Sequence, residues 1–189
     1  MRPQINSKLS LLIVWISVFI SGVAQDRPLP LTWDNIYTKN YGVGRAALSP
    51  DGKWVVMTAR TSDQAGLFLK EVASDAPARF LVAGGSPAWF ADGKRIVYSS
   101  QGDLWTVDLE GSTPKRITND ALDERAARPS PDGKSIAFYS GRSGYQDIWM
   151  VPSDGLAEPK QLTKNAMELD DYRFATSWSP NSKEIANNS

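Results

Sequence analysis

The chain has 189 residues, 41% of them hydrophobic, and its 21 basic side chains are balanced by 21 acidic ones. That is enough apolar content for one ordinary core, and the charge balance offers no basic face for nucleic acid. Cysteine and histidine are both absent, which excludes disulfides, thiolate chemistry, every Ser-His-Asp triad and most zinc sites.

At the amino terminus Arg2 and Lys8 precede an apolar run from Leu9 to Ile20, followed by Ser21-Gly22-Val23-Ala24-Gln25. A positive leader, an apolar stretch of about 7–15 residues and small residues at Gly22 and Ala24 describe a signal peptide over residues 1–24, cleaved before Gln25. The run is shorter than the roughly 20 apolar residues a spanning helix needs. The expected mature chain is therefore exported, periplasmic or secreted, without stable membrane insertion. A lipoprotein anchor would require a cysteine at the cleavage site. Residues 25–44 read as a leader, with a short helix expected over Leu31–Tyr37. Thr32 is its N-cap, and Trp33, Ile36 and Tyr37 share one face.

From residue 45 onward the chain repeats. Ser49-Pro50-Asp51-Gly52-Lys53 returns as Ala91-Asp92-Gly93-Lys94, as Ser130-Pro131-Asp132-Gly133-Lys134, and as a degenerate Ser179-Pro180-Asn181-Ser182-Lys183. Asp51, Asp92, Asp132 and Asn181 are spaced by 41, 40 and 49 residues. A period of about 40–45 residues fits the four-stranded blade of a β-propeller. Pro sets φ for a tight turn, Asp hydrogen-bonds its own downstream backbone, and Gly accepts positive φ. Each turn feeds a β-branched or aromatic run: Trp54-Val55-Val56-Met57, Ile96-Val97-Tyr98 and Ile136-Ala137-Phe138-Tyr139. These sites are read as hairpins, not as ligand sites.

The expected fold is all-β: a partial propeller over residues 45–189, after the signal peptide. Its three four-stranded blades fall at about 45–85, 86–125 and 126–174, and a fourth starts at 175–189. Blade one has strands near Arg45–Leu48, Trp54–Ala59, Leu67–Val72 and Arg79–Val82, closed by Gly84-Gly85-Ser86. Blade two repeats them at Pro87–Phe90, Arg95–Ser99, Leu104–Leu109 and Lys115–Thr118. Blade three follows at Ala126–Ser130, Ser135–Tyr139, Ile148–Val151 and Lys160–Thr163. Asp103-Leu104-Trp105-Thr106-Val107 matches Asp147-Ile148-Trp149-Met150-Val151, and Lys115-Arg116-Ile117-Thr118 matches Lys160-Gln161-Leu162-Thr163. Trp89, Trp105, Trp149 and Trp178 sit at repeat-locked positions, which reads as inter-blade core and not as a ligand platform. The longer connection with Glu168, Asp170 and Asp171 reads as a solvated loop. Three blades and a stub do not close a ring of about 4–8 blades. The chain is therefore expected to be the front part of a longer protein, with exposed apolar surface and poor solubility when isolated.

No nucleophile elbow, phosphate-binding loop, dinucleotide fingerprint or calcium loop is present; Gly141-Arg142-Ser143-Gly144 has the wrong spacing for an elbow. The expectation is a chain with no catalytic residues, no cofactor-binding residues and no metal ligands.

The S-P-D-G-K turns, the D-[LI]-W-x-V strands and the [RQ]-[IL]-T strand ends resemble the WD-like propeller repeats of TolB. They are similar also to the amino-terminal propeller of the prolyl oligopeptidase family of serine peptidases, especially its acylaminoacyl- and dipeptidyl-peptidase-like branches. The leader Leu29-Pro30-Leu31-Thr32-Trp33-Asp34-Asn35-Ile36-Tyr37 and the segment Tyr172-Arg173-Phe174-Ala175-Thr176-Ser177-Trp178 favour the peptidases, whereas TolB carries an α/β domain ahead of its propeller. The resemblance implies a non-catalytic propeller whose partner is its own carboxy-terminal α/β-hydrolase domain, which would cleave short peptides. No catalytic residue carries over to this chain. The paired glutamates that hold a substrate amino terminus in dipeptidyl-peptidase relatives have no match in Glu168-Leu169-Asp170-Asp171. A TolB-like envelope module binding a protein or peptide is the alternative. A propeller fused to an amidohydrolase or a tricorn-type protease is a third reading.

Overall fold

The structure, a computed structural model, describes residues 42–165 and 176–187. The expected signal peptide, the Leu31–Tyr37 helix with its Thr32 cap, and the segments Glu168–Asp171 and Tyr172–Phe174 lie outside the described residues. What is described is all strand and turn, with fourteen strands in four antiparallel sheets. The first sheet holds β1 (Gly42–Leu48), β2 (Trp54–Arg60), β3 (Ala65–Glu71) and β4 (Arg79–Val82). The second holds β5 (Gly85–Trp89), β6 (Arg95–Ser100), β7 (Asp103–Asp108) and β8 (Lys115–Arg116). The third holds β9 (Glu124–Pro129), β10 (Ser135–Ser140), β11 (Asp147–Pro152) and β12 (Lys160–Gln161). A two-stranded sheet of β13 (Thr176–Trp178) and β14 (Ile185–Asn187) follows. Each four-stranded sheet pairs its strands in chain order, as expected for propeller blades. Gly85 opens β5 instead of closing the blade before it.

The turns close as the repeat requires, with one group the sequence did not single out. Ser49 Oγ donates to Asp51 Oδ1 (2.6 Å) and accepts from Trp54 N (2.9 Å), while Asp51 Oδ1 also accepts from Lys53 N (3.1 Å). Ser130 makes the same bonds to Asp132 and Ser135, and Ser179 makes them to Asn181 and Glu184. The serine hydroxyl thus ties the turn to the start of the following strand. In blade two Phe90 stands in its place, fully buried, and only the Lys94 N to Asp92 Oδ1 bond (2.8 Å) remains. Gly52 and Gly133 sit at φ of 74° and 70°, where a Cβ is strained. Ser182 takes the same conformation at 61° in the degenerate turn. Its Oγ accepts from Asp132 N (3.0 Å), a bond to the preceding blade that glycine could not make.

The core lies between blades because strand residues alternate faces. Val56, Leu67, Leu69 and Leu81 of blade one meet Ile96, Tyr98 and Val107 of blade two. On the other face of blade two, Val97, Leu104 and Ile117 meet Ile136, Phe138 and Val151 of blade three. Ala137, Tyr139 and Ile148 then pack against Trp178 and Ile185. The repeated tryptophans belong to this packing: Trp105 faces back to blade one and Trp149 back to blade two. Trp89 Nε1 donates to Ala47 O, and Trp178 Nε1 to Arg128 O, both at 2.9 Å. Ala47 and Arg128 occupy the same place in β1 and β9, so one latch joins two different pairs of blades.

Candidate functional site

The D-[LI]-W and [RQ]-[IL]-T motifs meet at one end of blades two and three. In blade three, buried Asp147 accepts from Thr163 Oγ1 (3.0 Å), Gln161 Nε2 (3.0 Å) and Ser143 Oγ (2.5 Å). Thr163 Oγ1 in turn accepts from Ile148 N (2.9 Å). In blade two Asp103 binds Arg116 and accepts from Asp120 N (2.9 Å), and Thr118 Oγ1 accepts from Leu104 N (2.9 Å). These pairs fasten the outermost strand to the third one. Their aspartates are structural anchors, with every oxygen engaged.

The first strands β1, β5, β9 and β13 lie side by side and form the inner wall of the assembly. Of these, β1, β5 and β9 are bent by a bulge that the sequence does not signal. The register of β5 against β6 shifts between Gly85 and Ala88, and that of β9 against β10 shifts opposite Ala137 and Tyr139. At equivalent bulge positions Ser86 and Ala126 adopt φ of 52° and 51°. Bulges bend a strand and re-aim its side chains, and here they lie beside a cavity of about 320 Å³. Arg45, Ser86, Ser99, Gln101, Glu124 and Arg125 line it. A neighbouring groove of about 540 Å³ runs along the same wall and shares Arg45 and Ser86; Trp89 and Arg128 also line it.

The wall is charged. Burial, with the neighbouring Arg45 cation as the second cause, holds the Arg128 guanidinium below its usual range. Arg45 has no ion pair among the described residues, whereas Arg125 pairs with Asp123 (3.0 Å). Arg45 and Arg128 thus form a like-charged pair that an anion would relieve. Glu124 is 1% exposed. It accepts from Leu104 N (3.2 Å), from Thr118 Oγ1 and from the Arg142 guanidinium. Burial outweighs those donors and pushes its carboxyl up to about 7, with nearby Asp103 adding to the rise. Arg142 also approaches Asp120 (3.6 Å) and lies over the rings of Phe138 (5.5 Å) and Trp149 (4.9 Å). The arginine inside Gly141-Arg142-Ser143-Gly144 therefore clamps blade three to blade two.

Among the described residues no nucleophile, base and orienting group come together, and no group of acidic side chains is placed to hold a metal. The arrangement is a repeat-built wall with a polar cavity and two neighbouring arginines, Arg45 and Arg128. The architecture defines a β-propeller domain. Residues 86–189, more than half of the chain, match the family model of the Tricorn protease N-terminal β-propeller domain, and the chain belongs to that family. A TolB homolog from Chlorobium chlorochromatii is 33% identical over 101 residues, covering 51% of this chain and 23% of that relative. TolB from Acinetobacter baumannii superposes with a TM-score of 0.60 at 26% identity, over 78% of this chain and 37% of that one. A puromycin hydrolase S511A mutant complexed with PGG superposes with a TM-score of 0.54 at 20% identity, over 69% of this chain and 23% of that one. The chain thus spans less than a quarter of its TolB relative's length. The resemblance to TolB and to peptidase propellers read from the repeats is borne out.

Proposed function

We propose that this chain is the non-catalytic propeller portion of an exported serine peptidase of the prolyl oligopeptidase type. In the whole enzyme a carboxy-terminal α/β-hydrolase domain supplies the Ser, Asp and His, and the propeller limits access to short peptides. The peptidase part of this reading is carried by the match of residues 86–189 to the Tricorn protease N-terminal β-propeller domain, and its prolyl oligopeptidase part by the resemblance of the leader Leu29–Tyr37 and the segment Tyr172–Trp178. With no histidine in the whole chain, the triad of such an enzyme would lie in another domain. The arginine pair on the inner wall gives such a propeller a place for a peptide carboxylate. The signal-peptide pattern of residues 1–24 supports export. A second reading, a TolB-like module that holds a protein or peptide partner in the cell envelope, is favoured by the TolB homolog at 33% identity.

The two readings separate on the native protein. An antibody against the propeller should recover from cell-envelope extract a polypeptide much longer than 189 residues, labelled at a serine by a fluorophosphonate probe. A recovered polypeptide that carries only propeller repeats and takes no label would refute the peptidase reading and favour the TolB-like one.

A further inference from the structure

Two cavities meet on the inner wall. The first, of about 320 Å³, has polar walls that include Arg45, Ser86, Ser100 and Gln101. The second, of about 540 Å³, is bounded by Leu48, Pro87, Trp89 and Pro129, with Arg128 among them. Both include Arg45 and Ser86, so one trough runs along β1, β5 and β9, with Arg45 where its polar and apolar halves join. First strands face the central channel of a propeller, and further blades would extend this wall around the channel without covering it. The trough has surplus positive charge. The two carboxylates on its rim already have partners: Asp123 pairs with Arg125 (3.0 Å), and Glu124 pairs with Arg142. Arg45 and Arg128 have no acidic partner among the described residues, and Arg45 is the charged neighbour of Arg128. The trough is also shaped in advance. Ser86, Gln101 and Ala126, all on the polar half, hold φ of 52°, 54° and 51°, a region that such residues occupy only where their surroundings impose it. On the apolar half Trp89 is pinned by its Nε1 bond to Ala47 O (2.9 Å), and Leu48 is 48% exposed.

We propose that this trough binds an extended peptide through an internal acidic side chain, held by Arg45 and Arg128 between a polar neighbour on one side and an apolar neighbour on the other. The proposal rests on the propeller being a peptide-handling module, which the peptidase and TolB-like readings share. A carboxylate accepts two parallel N–H bonds from a guanidinium, and its charge relieves the repulsion between the two arginines. The carboxylate belongs to a side chain and not to a chain end because the trough continues on both sides of Arg45. A peptide that ended there would leave one half empty, whereas one that passes through fills both. Ser86, Ser100 and Gln101 offer donors and acceptors to the peptide on the polar side. Leu48, Trp89 and Pro129 take an apolar side chain out of water on the other.

The test uses the complete polypeptide expressed from its whole gene, treated with fluorophosphonate so that a serine hydrolase domain does not cleave the probe. The probes are acetyl-Gln-Ser-Glu-Leu-Leu-amide and its reverse-order counterpart acetyl-Leu-Leu-Glu-Ser-Gln-amide, whose only carboxylate is the glutamate side chain. Saturable binding of one of them is expected by calorimetry. Replacing its Glu by Gln should weaken binding by about tenfold or more, as should Arg45→Gln or Arg128→Gln in the protein. Lys115→Gln, at an exposed position on the outermost strand β8, should leave binding unchanged. Arg45 and Arg128 are exposed, so their substitution leaves the fold standing, and the Glu-to-Gln probe tests the same contact without touching the protein. Absence of binding by both probes, equal binding of the Gln probe, or indifference to both arginine substitutions overturns the proposal. So does tighter binding of acetyl-Gln-Ser-Gln-Leu-Leu with a free carboxy terminus, which would assign the arginines to a chain end. A protein that takes the fluorophosphonate label but ignores the probes overturns this proposal and leaves the peptidase reading standing. An unlabelled protein that binds them does the reverse.

Discussion

Glu124→Gln should flatten the pH dependence of stability of this chain. The carboxyl is buried between Leu104 N, Thr118 and Arg142, and its pKa is held at about 7 against an ordinary value of 4.5, chiefly by burial. The folded chain therefore keeps a proton that the unfolded chain has lost between those two pH values. Stability falls as pH rises through that window and is flat above it, because the unfolded state binds fewer protons there. A shift of this size corresponds to about 3 kcal/mol across pH 4.5 to 8, at about 1.4 kcal/mol per pH unit. Glutamine has no proton to release and keeps the amide close to the shape of the protonated acid. Asp51, Asp108 and Asp132 do not interfere. Their pKa values are lowered, so their contributions fade only as pH falls through the ordinary carboxylate range and below. Urea unfolding followed by tryptophan fluorescence at closely spaced pH values measures the difference between the two chains. Wild type should lose stability relative to the variant by about 3 kcal/mol from pH 4.5 to 8. Parallel curves would mean that Arg142 keeps Glu124 ionised throughout, and the account of the blade two to three junction would fail.

Three further outcomes follow from the same geometry. Thr163→Val removes the acceptor of Ile148 N and a donor to buried Asp147, at a cost of about 1–3 kcal/mol in urea unfolding; Thr163→Ser should restore most of it. Trp178→Phe deletes the bond to Arg128 O and should speed amide exchange in β13 and β14 while blades one and two keep their protection. Ser130→Ala removes the hydroxyl that does most to lower the Asp132 pKa, so a carbon-detected titration should show that carboxyl moving up towards its ordinary value. An Asp132 that titrates identically in both chains would show that the serine does not hold it.

What the sequence disclosed was whatever is local and periodic. Asp51-Gly52, Asp92-Gly93 and Asp132-Gly133 mark turns by their own backbone preferences, and Trp105 and Trp149 mark third strands by recurrence in a fixed frame. The role of Ser49 and Ser130 was less visible, because blade two manages its turn with Phe90 and the repeat masks the hydroxyl's work. The bulges at Ser86 and Ala126 carry no signal, since neither residue favours positive φ. The junction around Glu124 joins it and Arg142 of blade three to Leu104 and Thr118 of blade two, each ordinary in its own segment. The same holds for Arg45 and Arg128, which only the side-by-side packing of β1 and β9 with β5 brings onto one wall. Function was legible only by resemblance, because a propeller wall selects ligands with scattered residues and not with a motif.

The most direct test of the central proposal is the intact mass and probe reactivity of the native polypeptide recovered with a propeller antibody. The account predicts a chain several times longer than this propeller segment, labelled by a fluorophosphonate at a serine outside residues 1–189. An unlabelled polypeptide built only of propeller repeats would contradict it.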